Sequence, residues 1–407
     1  MKDTFKAVKI FDDVYWVGAI DWDVRHFHGY LTSRGTTYNA FLILSGKDKI
    51  TLIDTVKAPF ADEMFARIAS VVEPGKIDYI VSNHAEMDHS GSLPRAIERI
   101  KPAKVFASKM GAKALGRHFE LPCDITIVGD GQTLDLGDEK ITFAETKMCH
   151  WPDSMVTYQH GRGVLYTQDA FGMHLAGFER YADEYDRAIV DYETAKYYAN
   201  ILMHLAPFIN KTLDKLTALG LDISMIAPDH GPIWRTGEDI EGIIDSYARW
   251  SAQKPTGKVV VVYDSMWGST ARMARAIGEG LSAGGAKAKL MSMSACHRSD
   301  VVTEILEAGG LVVGSATMNN DIQPAIADVT TYIGGLRPRN LAAGAFGSYG
   351  WSGEAPKNLH AWLTDLGLNV IADPLRVNYV PDAGDLAQCR RFGIDIAQAT
   401  IENLKDL

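Results

Sequence analysis

Between residues 83 and 91 the sequence reads Asn-His-Ala-Glu-Met-Asp-His-Ser-Gly, which crowds His84, Glu86, Asp88 and His89 into six positions. Three more groups of the same chemistry stand far downstream: His150 in Cys149-His150-Trp151-Pro152, Asp169 after Thr167-Gln168, and His230 in Pro228-Asp229-His230-Gly231. Imidazole nitrogen and carboxylate oxygen are donors for iron, zinc and manganese. A single histidine at the head of a loop is usually a capping or hydrogen-bonding residue. Four such groups in one short loop, with three distant partners that each follow a strand, point instead to a metal site. Three carboxylates beside four imidazoles form a hard, oxygen-rich set that suits iron, and a bridging carboxylate suits a pair of metals. Ligand type by itself leaves zinc and manganese open. His118, His160, His174, His204, His297 and His360 fall in no such pattern and are expected to be structural or solvated.

A second group of residues has phosphate and ring chemistry. Ser265-Met266-Trp267-Gly268-Ser269-Thr270 lies between a strand pattern and a helix pattern. Hydroxyls and backbone N–H groups at such a turn, on the positive end of the helix dipole, cradle a phosphate. The turn has no lysine, so it is not a nucleoside triphosphate loop, and it matches the phosphate loop of flavodoxins. Two later loops belong with it: Ser315, Thr317, Met318, Asn319 and Asn320 after the third strand, and Ser348, Tyr349, Gly350 and Trp351 after the fourth. In a doubly wound sheet these loops meet at the carboxyl edge of the strands. Trp351, Tyr349 or Trp267 can cover a flat ring. The ligand expected here is FMN.

The elements that must position these groups fall in two blocks. Residues 1–253 show strand patterns at 14–20, 38–44, 49–54, 77–82 and 104–107. Helical patterns lie at 93–100 and 110–119. A second set of strands follows at 140–147, 155–159, 164–167 and 223–227, with helices at 192–205 and 209–219. The composition of Ser45-Gly46-Lys47-Asp48 predicts a hairpin turn. Two blocks of strands with helices beside them suggest an α/β/β/α sandwich. Residues 254–257, with Pro255 and Gly257, read as a linker. In residues 258–407, strands at 258–263, 286–291, 310–315, 342–347 and 370–377 alternate with five helices, a doubly wound flavodoxin-like pattern.

Composition narrows the function. At 407 residues the chain is too long for one core, and 46% hydrophobic with 23% charged residues is an ordinary globular balance. A net charge of −10 argues against nucleic acid or an anionic membrane as the main partner. The longest aliphatic run, 259–262, is far short of the ~20 residues of a membrane span. The first residues carry no signal-peptide pattern, so a cytoplasmic protein is expected. Its four cysteines form no C-x-x-C, so the chain lacks a rubredoxin-type iron site of its own.

The metal motif resembles that of the metallo-β-lactamase superfamily, His-x-His-x-Asp-His, with Glu86 in place of the second histidine. Joined to a flavodoxin module, it resembles the flavodiiron proteins, or A-type flavoproteins, over essentially the whole chain. The resemblance is strongest to their rubredoxin:oxygen oxidoreductase branch, through Ala19-Ile20-Asp21-Trp22, His28-Gly29-Tyr30 and Trp151-Pro152-Asp153-Ser154-Met155. It implies that His84, Glu86, His150 and Asp169 hold one iron. Asp88, His89 and His230 hold the other, with Asp169 bridging, and in some members the residue matching His89 turns away from its metal. It places His28 and Tyr197 at the open metal face as catalytic residues. It implies reduction of dioxygen to water, of nitric oxide to nitrous oxide, or of both. Rubredoxin is the expected electron donor, with a reduced deazaflavin as the other option. A head-to-tail homodimer is the implied catalytic unit, alone or within a tetramer. Two readings of other classes remain open from sequence: a metal-dependent hydrolase with an appended flavodoxin domain, and an electron carrier with a vestigial metal site.

Overall fold

A computed structural model describes residues 5–44 and 49–406; the hairpin turn expected at 45–48 lies outside the described residues. The chain forms two compact units. One comprises Met1–Phe27, Thr32–Tyr197 and Pro207–Ala248, the other His28–Leu31, Tyr198–Ala206 and Arg249–Leu407.

In the first unit, alternation along the strands builds two layers of core. Ile80 and Leu42 pack toward the helices Ala61–Ala69, Leu93–Ile100 and Lys109–His118. Their neighbours Tyr79, Val81, Phe41 and Ile43 point the other way, against Phe143, Met155, Tyr166 and Ala227 of a second sheet. Successive residues of a strand face opposite sides, so buried strands between two apolar layers must be apolar throughout. Among the described residues the first sheet has seven strands and the second five. Phe41–Ile43 and Thr51–Ile53 pair antiparallel, as the hairpin expectation requires, whereas Thr51–Ile53, Tyr79–Ser82, Lys104–Ala107 and Ile125–Ile127 run parallel. The α/β/β/α sandwich is therefore present.

Three expected elements come out differently. The strand expected at 14–20 is two strands, Val14–Trp16 and Ala19–Asp21, paired with different partners. Gly18 separates them where a Cβ would lie 2.2 Å from the Tyr38 carbonyl oxygen, so only glycine fits. The helix expected at 192–205 is α-helical over Arg187–Tyr197, opens into a π turn at Tyr198–Leu202 and tightens to a 3-10 turn at Met203–Leu205. A new helix, Ala206–Ala218, starts there with Pro207 in its first turn, where a missing N–H costs nothing. The strand expected at 370–377 is split into Asn369–Val370 and Leu375–Asn378 around Pro374, which cannot donate to a ladder.

In the second unit a parallel sheet has the order Lys287–Ser292, Lys258–Tyr263, Gly310–Gly314, Ala342–Tyr349, with the two short last strands beside Ala342–Tyr349. This is the flavodoxin order, and its switch point lies beside the first strand. Val260 and Val262 face one apolar layer, Val259 and Val261 the other. No helix among the described residues is long and apolar enough to cross a membrane.

Candidate metal centre and flavin site

The buried strand Tyr79–Ser82 delivers the chain to Asn83, and Asp54 holds that exit in place. Asp54 accepts from the Asn83 backbone N–H and from its side-chain amide, both at 2.7 Å, and Asn83 Oδ1 accepts from Thr157 at 2.7 Å. The next residues turn inward as His84 and Glu86, and the one-turn helix Met87–Ser90 then presents Asp88 and His89. Asp169 follows the strand Val164–Gln168, and His230 follows Met225–Pro228. At the latter turn Gly231 has φ +75°, and a Cβ there would lie 2.6 Å from the Met173 carbonyl oxygen.

These residues form two adjoining groups, His84, Glu86, His150 and Asp169, and Asp88, His89 and His230, each with its donor atoms within 4.8 Å of one another. Asp169 links them. Its Oδ2 lies 3.0 Å from His150 Nε2 and 3.3 Å from His84 Nε2, while its Oδ1 lies 3.0 Å from His89 Nε2 and 3.4 Å from His230 Nε2. Glu86 Oε2 closes the first group at 3.1 Å from His150 Nε2 and 3.3 Å from His84 Nε2. Asp88 Oδ2 closes the second at 3.1 Å from His230 Nε2 and 3.4 Å from His89 Nε2.

The His84 and His230 rings are aimed by their other nitrogens. His84 Nδ1 meets Asp153 Oδ2 at 3.0 Å, and His230 Nδ1 meets the Thr37 carbonyl at 2.7 Å. His89 Nδ1 faces Asp229 at 3.3 Å. The Gln168 side-chain amide donates to the Cys149 carbonyl and its oxygen accepts from the Asp169 N–H at 2.7 Å, tying two of the loops together. Outer partners of this kind fix the tautomer and leave Nε2 for a metal.

The electrostatics fit a cation. Burial lowers the His84 and His89 pKa values, but the surrounding carboxylates more than reverse this. His84 is held well above the usual imidazole range and His89 rises to about 10. Burial raises Asp169, and the histidines around it overcome that and hold it well below the usual carboxylate range. The site is therefore a sink of ionised carboxylate. Both oxygens of Asp88 are sealed from water and receive no hydrogen bond, although two imidazole nitrogens lie nearby. Those lone pairs converge on shared space instead of on each other's protons. A buried carboxylate left in that state is costly unless a cation fills the space. The donor chemistry and these orphaned oxygens fit metal in both groups.

Tyr197 is buried with its ring centroid 6.2 Å from that of His230. His28 is exposed, has φ +53° and belongs to the second compact unit. His174, expected to be structural or solvated, is buried and packs against the site. Its ring centroid is 4.7 Å from His230 and 5.1 Å from Tyr197, and its Nδ1 is 2.9 Å from Thr36 Oγ1. No spacing rule picks it out, because it stands five positions past Asp169 with no ligand motif of its own.

In the second unit, Met266, Trp267, Ser269, Thr317, Ser348, Tyr349, Gly350 and Trp351 line a cavity of about 470 Å3, joined by Ala316, Tyr379 and Val380. Gly268, at φ +87°, opens the helix Ser269–Ala283 and turns its N-terminal N–H groups toward this loop. Ser265 Oγ accepts from the Gly268 and Ala271 N–H groups and so shapes the loop from behind. Thr270 is buried with its hydroxyl 2.9 Å from that of Ser348. Ser315 accepts from the Gln323 N–H, and Met318, Asn319 and Asn320 form a turn beside the cavity that its lining does not include. A helix N-terminus, neutral hydroxyls and a wall of aromatic rings fit a flavin monophosphate. Tyr379 and Val380 escaped sequence reading because the segment after the fifth strand Leu375–Asn378 has none of the serine and threonine hydroxyls that marked the other three loops.

A family model described as ODP family beta lactamase matches residues 36–231, and a flavodoxin model matches residues 261–393. Fold and site thus define a beta-lactamase-like metal domain followed by a flavodoxin domain. The chain is 45% identical to a rubredoxin-oxygen oxidoreductase of Megalodesulfovibrio gigas, covering 97% of this chain and 98% of that one. It is 44% identical to a nitric oxide reductase of Moorella thermoacetica, over 96% and 98%. The solved flavodiiron protein of Giardia intestinalis superposes with a TM-score of 0.95 at 33% identity, covering 99% of each chain. This chain belongs to the flavodiiron protein family.

Proposed function

We propose that this chain is a diiron–FMN oxidoreductase that reduces dioxygen to water and nitric oxide to nitrous oxide, taking its electrons from rubredoxin. The observation that carries the reading is the Asp169 carboxylate, which gives one oxygen to each donor group. His84, Glu86, His150 and Asp169 would hold one iron, and Asp88, His89, His230 and Asp169 the other. The cavity bounded by Ser269, Ser348 and Trp351 would hold FMN. Two irons and FMN, when bound, would supply the electrons: dioxygen needs four, of which the metal pair would provide two and the reduced flavin two more.

The chain's own residues orient ligands and manage protons. Asp153 and the Thr37 carbonyl keep the His84 and His230 rings in register. Burial pushes the Tyr197 phenol well above its ordinary range, so it stays protonated and serves as a hydrogen-bond donor beside His230. A hydrolase with an appended flavodoxin domain is not favoured, because relatives spanning nearly the whole chain are named as reductases. A homodimer, head to tail, as the working unit and a cytoplasmic location complete the proposal.

The deciding experiment measures turnover of both gases by iron- and FMN-loaded protein with reduced rubredoxin. Consumption of neither gas, or full activity with zinc alone, would overturn the reading.

A further inference from the structure

The first unit contains a cavity of about 420 Å3 that the metal site does not use. Its rim is formed by Thr217, Gly220 and Asp222, all exposed, and its inner wall by Leu165, Ile226 and Phe171, all buried. Leu213, Leu216, Leu221, Ile223 and Ile244 complete the lining, in which eight of eleven residues are apolar. Leu165 and Ile226 sit on the two strands, Val164–Gln168 and Met225–Pro228, that lead to Asp169 and His230. Phe171 stands two positions beyond Asp169.

Phe171 is itself unusual. It has φ +64°, a left-handed conformation that a bulky side chain adopts only when its surroundings impose it. Those surroundings are visible. The Phe171 N–H donates to the Tyr247 hydroxyl at 2.7 Å, its carbonyl accepts from Trp234 Nε1 at 2.9 Å, and its ring lies 4.5 Å from that of Tyr247. Two backbone hydrogen bonds and one ring contact therefore fix Phe171, which lines the cavity two positions along the chain from the carboxylate that links the two donor groups.

We infer that this cavity is a binding site for small uncharged gas molecules, with Phe171 as the wall through which they pass toward Asp169. Apolar cavities stay dry and take up apolar guests of matching size. Dioxygen and nitric oxide share the required chemistry: diatomic, uncharged and weakly hydrated. The inference rests on the proposed function for its choice of gas and on the cavity for everything else.

The test uses crystals of the iron- and FMN-loaded protein under xenon pressure, together with kinetics for both gases. Xenon should occupy the cavity in the wild type. Leu213→Trp, on the half-buried side of the helix Ala206–Ala218, should abolish that density. It should also raise KM for the admitted gas several-fold with kcat unchanged, as expected when access alone is impaired. Ile244→Phe fills the same space from another helix and serves if the first variant folds poorly. A rise for both gases marks a common route, and a rise for one identifies the gas that uses it. An empty cavity under xenon overturns the inference, as does loss of xenon with both KM values unchanged. Wild-type protein that consumes neither gas overturns the proposed function instead, and xenon still reports on the cavity separately.

Discussion

Asp153 Oδ2 lies 3.0 Å from Nδ1 of His84 and accepts the Ala85 N–H at 2.7 Å, so one buried oxygen fixes both the ring and the backbone beside it. Hydrogen bonds from that ring and that N–H hold the Asp153 carboxyl below its ordinary range against the opposing effect of burial. Asp153→Asn keeps an oxygen for either contact and removes the charge that makes His84 a stronger donor. The expected result is a loss of metal affinity of about ten- to a hundred-fold with the fold intact. Competition with an iron chelator, read beside circular dichroism, measures it. Wild-type affinity would mean that Asp153 only shapes the loop.

His84→Ala and His150→Ala should lower iron content while FMN stays bound. Each compact unit has its own apolar core, with the metal ligands in the first and the flavin loops in the second. Metal analysis and the flavin absorbance of the same sample settle the matter. Joint loss of both cofactors would contradict the independence of the two sites. Full-occupancy zinc with no iron in wild-type protein would defeat the assignment of the metal.

Trp351 is 85% exposed and Trp267 90% exposed, so neither supports the core. Trp351→Ala should therefore leave thermal stability unchanged and weaken FMN binding through the lost ring contact alone. A large aromatic contact to a flat ligand is worth on the order of 1–3 kcal/mol, about ten- to a hundred-fold in affinity. Fluorescence titration with FMN reads this directly. If affinity holds, Tyr379 is the better candidate: it lines the same cavity, and its N–H donates to the Tyr349 carbonyl at 2.7 Å.

The candidate donors that the fold gathers could be read from sequence because those of one short loop are adjacent in the chain, and the distant ones follow apolar strand runs. His84 through His89 needed no topology to be recognised as a cluster. His174 was not readable, because its place beside His230 and Tyr197 depends on how the loop after Asp169 folds back, which no periodicity encodes. Gln168 was hidden for a similar reason: its side chain bridges Cys149 and Asp169, a contact between loops far apart in sequence. The valines of 258–263 announced a strand buried on both faces. The split of 14–20 turned on one close approach of Gly18 to Tyr38, which is a tertiary fact.

The last prediction concerns the working unit. If flavin in one protomer reduces iron in its partner, two inactive variants should rescue each other as a heterodimer. Asp169→Ala removes the carboxylate whose two oxygens approach both donor groups and leaves the flavin loops untouched. Ser269→Trp together with Thr270→Trp fills the phosphate turn and leaves the metal ligands untouched. Each variant alone lacks one end of every flavin-to-iron path. In a head-to-tail heterodimer the intact flavin of one protomer faces the intact irons of the other, so one of two paths is whole and about half of the activity returns. Because Thr270 is buried, Ser269→Trp alone provides a milder version of the same block. Co-expressed pairs, purified with two different tags and compared with the separate variants, give the readout. Transfer within a single protomer leaves the heterodimer without any complete path, and its activity would then stay at the level of the inactive parents.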